Sequence, residues 1–258
     1  MNRLRRKGAW AAATTPLCLA ALMLGPASAA SAPPGEPLDH LTLCAPDGNM
    51  FMPEVDNPYF PLPVGQQWVY GGKEQGQSIG LQVTVLPETE TLRFRRGVRV
   101  ITRVVEEVEW EDTIANGEID PGENLIEASL NYFAQTQDGT VCYFGEAVDI
   151  YEDGVIVSHD GAWRADARGN APGIFMPVDP QPGMTFQQEV APGVAEDHAT
   201  VVHTGGRATL PDGTVVETIT VRDFNPLDRS TGTKVYARGV GLIQDAQLDL
   251  MEIRDVTG

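Results

Sequence analysis

The chain is short of cations, of cysteine and of any second long apolar run. It holds 18 Lys and Arg against 36 Asp and Glu. That imbalance repels nucleic-acid phosphates and anionic lipid, so a DNA- or RNA-binding role is excluded. It leaves two readings: a solvated acidic surface, or a site for cations. No apolar 3.6-residue pattern persists beyond two or three turns, which excludes a helical domain. Beyond the N-terminal run no apolar stretch is long enough to cross a membrane as a helix. The three cysteines lack the spacing of a zinc site. A G-x-S-x-G elbow and His-Glu-x-x-His spacing are both absent.

What is present begins with an address. Arg3, Arg5, Arg6 and Lys7 precede an uncharged stretch from Gly8 to Leu24 and the small-residue run Pro26-Ala27-Ser28-Ala29-Ala30. This is the layout of a cleaved bacterial secretory signal over residues 1–29, which predicts a secreted or periplasmic protein. The signal takes four basic residues and no acidic one, leaving 14 against 36 and a formal charge of −22. Cys18 leaves with it. In an oxidising exterior the remaining pair, Cys44 and Cys142, suggests one disulfide, with two free buried thiols as the alternative.

Residues 30–65 read as a proline-rich extended lead, and residues 66–258 as one β domain. The segment 32–63 alone holds eight of the 19 prolines. Period-two alternation dominates the β domain. Val98, Val100, Thr102, Val104, Val108 and Trp110 share one face of a strand; Arg99, Arg103, Glu107 and Glu109 share the other. One oily and one wet face predicts antiparallel strands. The expected fold is all-β: a curved antiparallel sheet, half-barrel or barrel-like, with strands near 66–73, 79–86, 98–110, 125–137, 140–151, 184–190, 196–204, 214–224 and 233–252. Asp138-Gly139, Asp153-Gly154 and Asp212-Gly213 supply hairpin turns. Residues 160–183, rich in glycine and proline, read as a long loop suited to act as a lid.

A two-residue turn at Asp138-Gly139 pairs Phe133 with Phe144, Asn131 with Glu146 and Gln135 with Cys142, and sets Tyr132 over Gly145. Glu146 would then sit among aromatics, where lost solvation raises a carboxyl pKa and suits a general acid or a buried ligand group. The candidate ligand contacts are Phe133, Phe144, Asn131 and Trp163. Glu196 and His198 point the same way on a strand and could assist Glu146 or hold a divalent cation. Asp197 and His203 share the opposite face, roughly 20 Å apart at about 3.3 Å per residue, too far for a dyad. Glu118, Asp120 and Glu123 form an acidic turn that misses the EF-hand pattern. His40 and His159 read as surface residues, and Ser158-His159-Asp160 as neighbours rather than a triad.

Several stretches carry a family likeness together: Asn57-Pro-Tyr-Phe-Pro-Leu-Pro-Val-Gly65 running into Trp68-Val-Tyr70, Tyr132-Phe-Ala-Gln135, Tyr143-Phe-Gly-Glu146, Pro172-Gly-Ile-Phe-Met-Pro177, Ala195-Glu-Asp197, and Lys234-Val-Tyr-Ala-Arg-Gly-Val-Gly-Leu-Ile243. The chain resembles a group of exported bacterial proteins without an assigned activity. Its last stretch is also similar to the closing strand of half-barrel envelope proteins of the lipoprotein-carrier type. The leading expectation is an exported, non-enzymatic binding protein with a small or lipophilic ligand on the concave face. It needs no cofactor, although a divalent cation fits the acidic composition. The alternatives are a secreted hydrolase or lyase built on Glu146 with Glu196 and His198, and a calcium-stabilised structural protein.

Overall fold

The structure is a computed structural model, and it describes residues 37–256. The signal at 1–29 and the start of the lead lie outside the described residues. The rest of the lead forms α1 (His40–Leu43) and the short strands β1 (Phe51–Met52), β2 (Asp56–Asn57) and β3 (Phe60–Pro61). Asp39 caps α1 by accepting the Leu41 N–H. A meander comes next, of β4 (Gln66–Glu74), β5 (Gln77–Arg93), β6 (Arg99–Glu111), β7 (Leu125–Thr136) and β8 (Val141–Glu152). Five shorter strands succeed it: β9 (Val155–Ser158), β10 (Trp163–Arg164), β11 (Ala171–Met176), β12 (Thr185–Gln187) and β13 (Glu189–Val190). A second meander completes the chain: β14 (His198–Thr209), β15 (Val215–Phe224), β16 (Thr231–Ala237), β17 (Gly241–Asp245) and β18 (Leu248–Asp255). β18 returns to pair with β4. The fold is all-β and its ladders are antiparallel.

The sheet order is β12-β14-β15-β16-β17-β18-β4-β5-β6-β7-β8-β11-β13. Its two ends are neighbours in sequence, because only Gln188 separates β12, on β14, from β13, on β11. One stretch therefore stands at both edges and nearly closes the sheet into a barrel, which the right-handed twist of strands favours and which covers the open edges. Gly173 makes the seam possible: a Cβ there would lie 2.0 Å from the Gln188 carbonyl oxygen. This corrects the reading of 160–183 as one long loop. β10 and β11 lie inside it, and β11 is part of the wall.

The turns divide into two kinds. At Asp153-Gly154 both residues have positive φ (52° and 75°), as a two-residue hairpin needs. At 138–139 only Gly139 does (97°), and the Asp138 carboxylate accepts the Thr140 N–H at 3.0 Å. That loop is one residue longer, and the register shifts with it: Phe133 pairs with Tyr143 and Gln135 with Val141. The expected partners Phe144 and Cys142 are thus displaced, and Tyr132 does not simply overlie Gly145. A bulge around Gly145 (φ 122°) then restores the pairing of Asn131 with Glu146. The bulge breaks the alternation of β8, so that Tyr143 and Glu146 both face the barrel interior.

Phe144 faces away. It packs edge-on against Phe51 of β1, with ring centroids 5.1 Å apart, and is fully buried there. Cys44 and Cys142 are joined, with Cα atoms 5.8 Å apart, which ties the lead to β8. The supposed wet face of β6 also needs correction. Glu107 lines the barrel interior beside Val105. Arg103 is buried and donates to the carbonyls of Pro53, Leu86, Pro87 and Glu88, pinning the lead at one end of the barrel. Trp110 lies outside, over Gly80, where a Cβ would meet its ring at 2.3 Å.

Candidate functional site

The barrel encloses a cavity of about 200 Å³. β7 shows how the sequence builds it. Glu127, Ser129, Asn131 and Phe133, at every second position, all face inward. The strand therefore runs from a carboxylate at one end of the cavity to an aromatic ring at the other.

The aromatic end is the floor, next to the lead. Phe133 stacks on Tyr143 with centroids 4.8 Å apart, and Phe175 of β11 meets Phe133 at 4.8 Å. Phe60 of β3 closes the bottom, 4.5 Å from Phe175 and 6.5 Å from Tyr236. The polar atoms here are tied off: Tyr143 Oη donates to Asn131 Oδ1, and Asn131 Nδ2 donates to Ser129 Oγ at 3.1 Å. Trp68 Nε1 donates to the Val240 carbonyl and Tyr70 Oη to that of Leu242. Asp160 and Val194, exposed members of the lining in the loops between strands, mark the mouth.

Between floor and mouth the wall is acidic. Among the described residues, eight carboxylate side chains line the cavity, against a single ammonium, Lys234. Lys234 Nζ lies 3.2 Å from Asp223 Oδ2 and 3.7 Å from Asp245 Oδ2. Burial opposes its charge, but these two aspartates outweigh burial and hold it protonated. The carboxylates face the opposite balance. Burial pushes Glu107 up to about 7 and Asp245 to about 6. Burial and the neighbouring Asp197 raise Glu189 to about 8, and burial lifts Asp197 itself to about 6. Glu127 is raised by burial, and Glu146 well above the usual range by burial and then by Glu189. Several of these groups keep some accessible surface, but that surface belongs to an enclosed space with little of the solvation of bulk water.

Of the candidates read from the sequence, Glu146, Asn131 and Phe133 are brought together on the cavity wall. Trp163 pairs with Glu146 across β10 and β8 and packs edge-on against Tyr143 at 5.3 Å, behind the wall rather than on it. Phe144 is on the far face of the sheet. Glu196 and His198 are not brought to Glu146. Glu196 accepts the Gly193 N–H at 2.8 Å, and His198 is exposed. Asp197, between them, points into the cavity instead. The carboxylates of the acidic turn are engaged by protein groups. Glu123 accepts from the Thr113 and Asp120 amides, Asp120 binds Asn116, and Glu118 binds Arg254. Among the described residues, no three His, Cys, Asp or Glu side chains are arranged to hold a metal ion, and no helix is long and apolar enough to cross a membrane.

Compared with models of known protein families and with curated proteins, the chain matches none. Among solved structures it is similar to an exported protein with a YmcC-like fold from Bacteroides fragilis NCTC 9343. The identity is 14% and the TM-score 0.37, over 76% of this chain and 98% of that one.

Sequence reading missed Glu107, Glu127, Glu189, Asp223, Lys234 and Asp245. One signal was available. In β7 the polar set Glu127, Ser129 and Asn131 ends on an aromatic, Phe133, a poor ending for a solvent face. A polar stripe that finishes in a large apolar ring reads better as the lining of a barrel.

Proposed function

We propose that this chain is an exported binding protein that takes a small molecule with a lipophilic part into the barrel. The supporting observation is the cavity itself: an enclosed space of about 200 Å³ with a floor of four packed aromatic rings, Phe60, Phe133, Tyr143 and Phe175, and polar groups above it. Such concave, largely preformed sites with an apolar base and a few oriented polar groups are where proteins hold small ligands. The signal-like N-terminus supplies the exported location. The lead serves the site as well as spanning it, because Phe60 closes the floor and the Cys44–Cys142 bond anchors that segment. Glu146 belongs to this site as a polar wall group. The hydrolase reading needs Glu196 and His198 beside it, and they are elsewhere.

The test is uptake of an uncharged apolar fluorophore, N-phenyl-1-naphthylamine, by the signal-free protein. Saturable binding of one molecule per chain is expected, abolished by Ser129→Trp, which fills the cavity, in a variant that still melts cooperatively. A wild-type protein that leaves the fluorophore in water, or a filled variant that binds it equally well, overturns the proposal.

A further inference from the structure

We infer that the ligand of this cavity carries a positive charge: an apolar body ending in a primary or secondary ammonium. The inference rests on the binding reading above and names the chemical class of its ligand.

Three observations carry it. The first is the count of eight carboxylates against one Lys234 around the cavity and its mouth, among the described residues. Lys234 engages Asp223 and Asp245 and also acts electrostatically on Glu107, so one ammonium serves several carboxylates. Asp160 is exposed at the mouth, but the other seven are part-buried or buried, and carboxylates withdrawn from water are costly unless a cation or protons neutralise them.

The second is geometric. Asp197, Asp223 and Asp245 belong to the cavity lining, and the Oδ1 atom of each is buried and receives no hydrogen bond from any described protein group. Asp245 is 2% exposed and Asp223 8% exposed. In each of these two the Oδ2 faces Lys234 and the Oδ1 is left over. Buried acceptors of this kind ordinarily have donors. An ammonium with two or three N–H groups offers several charged donors to these acceptors, whereas a quaternary head has no N–H and a hydroxyl offers a single uncharged donor.

The third is the order of groups along the cavity. The aromatic floor lies at the Phe133 end of β7, and Glu127, six residues away, lies toward the mouth. An amphipathic amine entering tail first would put its body on Phe60, Phe133 and Phe175 and its head among the carboxylates. An anionic or zwitterionic amphiphile of the same length would set its own negative charge among theirs. The absence of any three-residue metal arrangement among the described residues argues against a bare divalent ion as the intended cation.

The experiment displaces N-phenyl-1-naphthylamine at pH 7.5 with three ligands of equal chain length: n-octylamine, octan-1-ol and octanoate. Octylamine is expected to displace the probe at a concentration at least tenfold below that of octan-1-ol, with octanoate weakest. Asp245→Asn is expected to bring the amine-to-alcohol ratio toward one. Because that change also touches the Lys234 pair, Glu107→Gln, on the opposite wall, serves as a second variant with the same expected direction. Thermal melts verify that both fold. If octan-1-ol displaces the probe as well as octylamine does, or if neither variant alters the ratio, the charge inference falls and the binding reading stands. If the probe itself never binds, both fall.

Discussion

Lys234 and Asp245 occupy paired positions on β16 and β17, and Lys234 Nζ stands 3.7 Å from Asp245 Oδ2 inside the barrel, with Asp223 of β15 closer still at 3.2 Å. Three successive strands are thus joined through one buried ammonium. Removing it would leave two buried carboxylates facing each other. Lys234→Met is therefore expected to destabilise the fold by about 3 kcal/mol at pH 8, read from urea unfolding. The loss should shrink at pH 5, where Asp245, with a pKa of about 6, takes up a proton instead. Adding Asp223→Asn and Asp245→Asn to the same chain should restore most of the stability. A single variant as stable as the wild type at pH 8 would show that the ion pair does not hold this wall.

Stability should fall as the pH rises. A carboxyl whose folded pKa lies above its unfolded value binds its proton more tightly in the folded chain. Its contribution is complete below the unfolded pKa and is lost as the pH climbs through the folded one. For Asp197 and Asp245 at about 6, Glu107 at about 7 and Glu189 at about 8, that window runs from about pH 4 to about pH 8. Asp138 and Asp166 act in the other direction. There burial is outweighed, by the Thr136 and Thr140 hydrogen bonds at Asp138 and by Arg164 at Asp166, so their contribution disappears as the pH drops through their lowered values. Greatest stability is expected near about pH 5, with a loss of at least about 3 kcal/mol on moving to pH 8. Urea midpoints followed by circular dichroism at the two pH values check it; a higher midpoint at pH 8 would contradict the buried acidic wall.

The Cys44–Cys142 bond spans 98 residues of sequence. Cross-links over such long loops restrict the unfolded chain strongly, and losing one costs roughly 3–5 kcal/mol. The double change Cys44→Ser with Cys142→Ser should lower stability by about that amount. It should also weaken retention of an apolar probe, because the lead that carries Phe60 loses its anchor. Equal urea midpoints with and without the bond would mean that the lead is held by packing alone.

Much of the fold can be read in the alternation. The strands of the first meander start within two residues of where the period-two pattern and the turn dipeptides put them, although β5 runs on to Arg93; the single strand expected at 233–252 is instead three, β16, β17 and β18, folded back on one another. Those signals are local, set by side chains that alternate across a pleat and by glycines that accept positive φ. The region around residues 160–183 resisted because β10 is only two residues long, β11 carries Pro172 and Gly173 within six, and the stretches around them are rich in glycine and proline. They are strands by virtue of their partners on β8, not by their own composition. The register at 138–139 resisted for a related reason. An Asp-Gly pair suits either a two-residue or a three-residue loop, and the choice lies in hydrogen bonds to Thr136 and Thr140.

The site divides along the same line. Sequence by itself determined that antiparallel strands would form and that Cys44 and Cys142 were available to join; the pairing of Glu146 with Asn131 depends on the bulge at Gly145, which offsets the longer turn. Only the tertiary structure decided which face was inside. A strand with one apolar and one polar face is equally satisfied in an open sheet or a barrel. Closure through residues 185–190 turned the polar stripe of β7 inward and put Glu107 into the interior. It also brought Asp197, just before β14, within the electrostatic reach of Lys234, which already sits between Asp223 and Asp245 on the successive strands β15 to β17. Burial acts on whichever face the closed sheet encloses, and that depends on contacts between distant segments that no local pattern encodes.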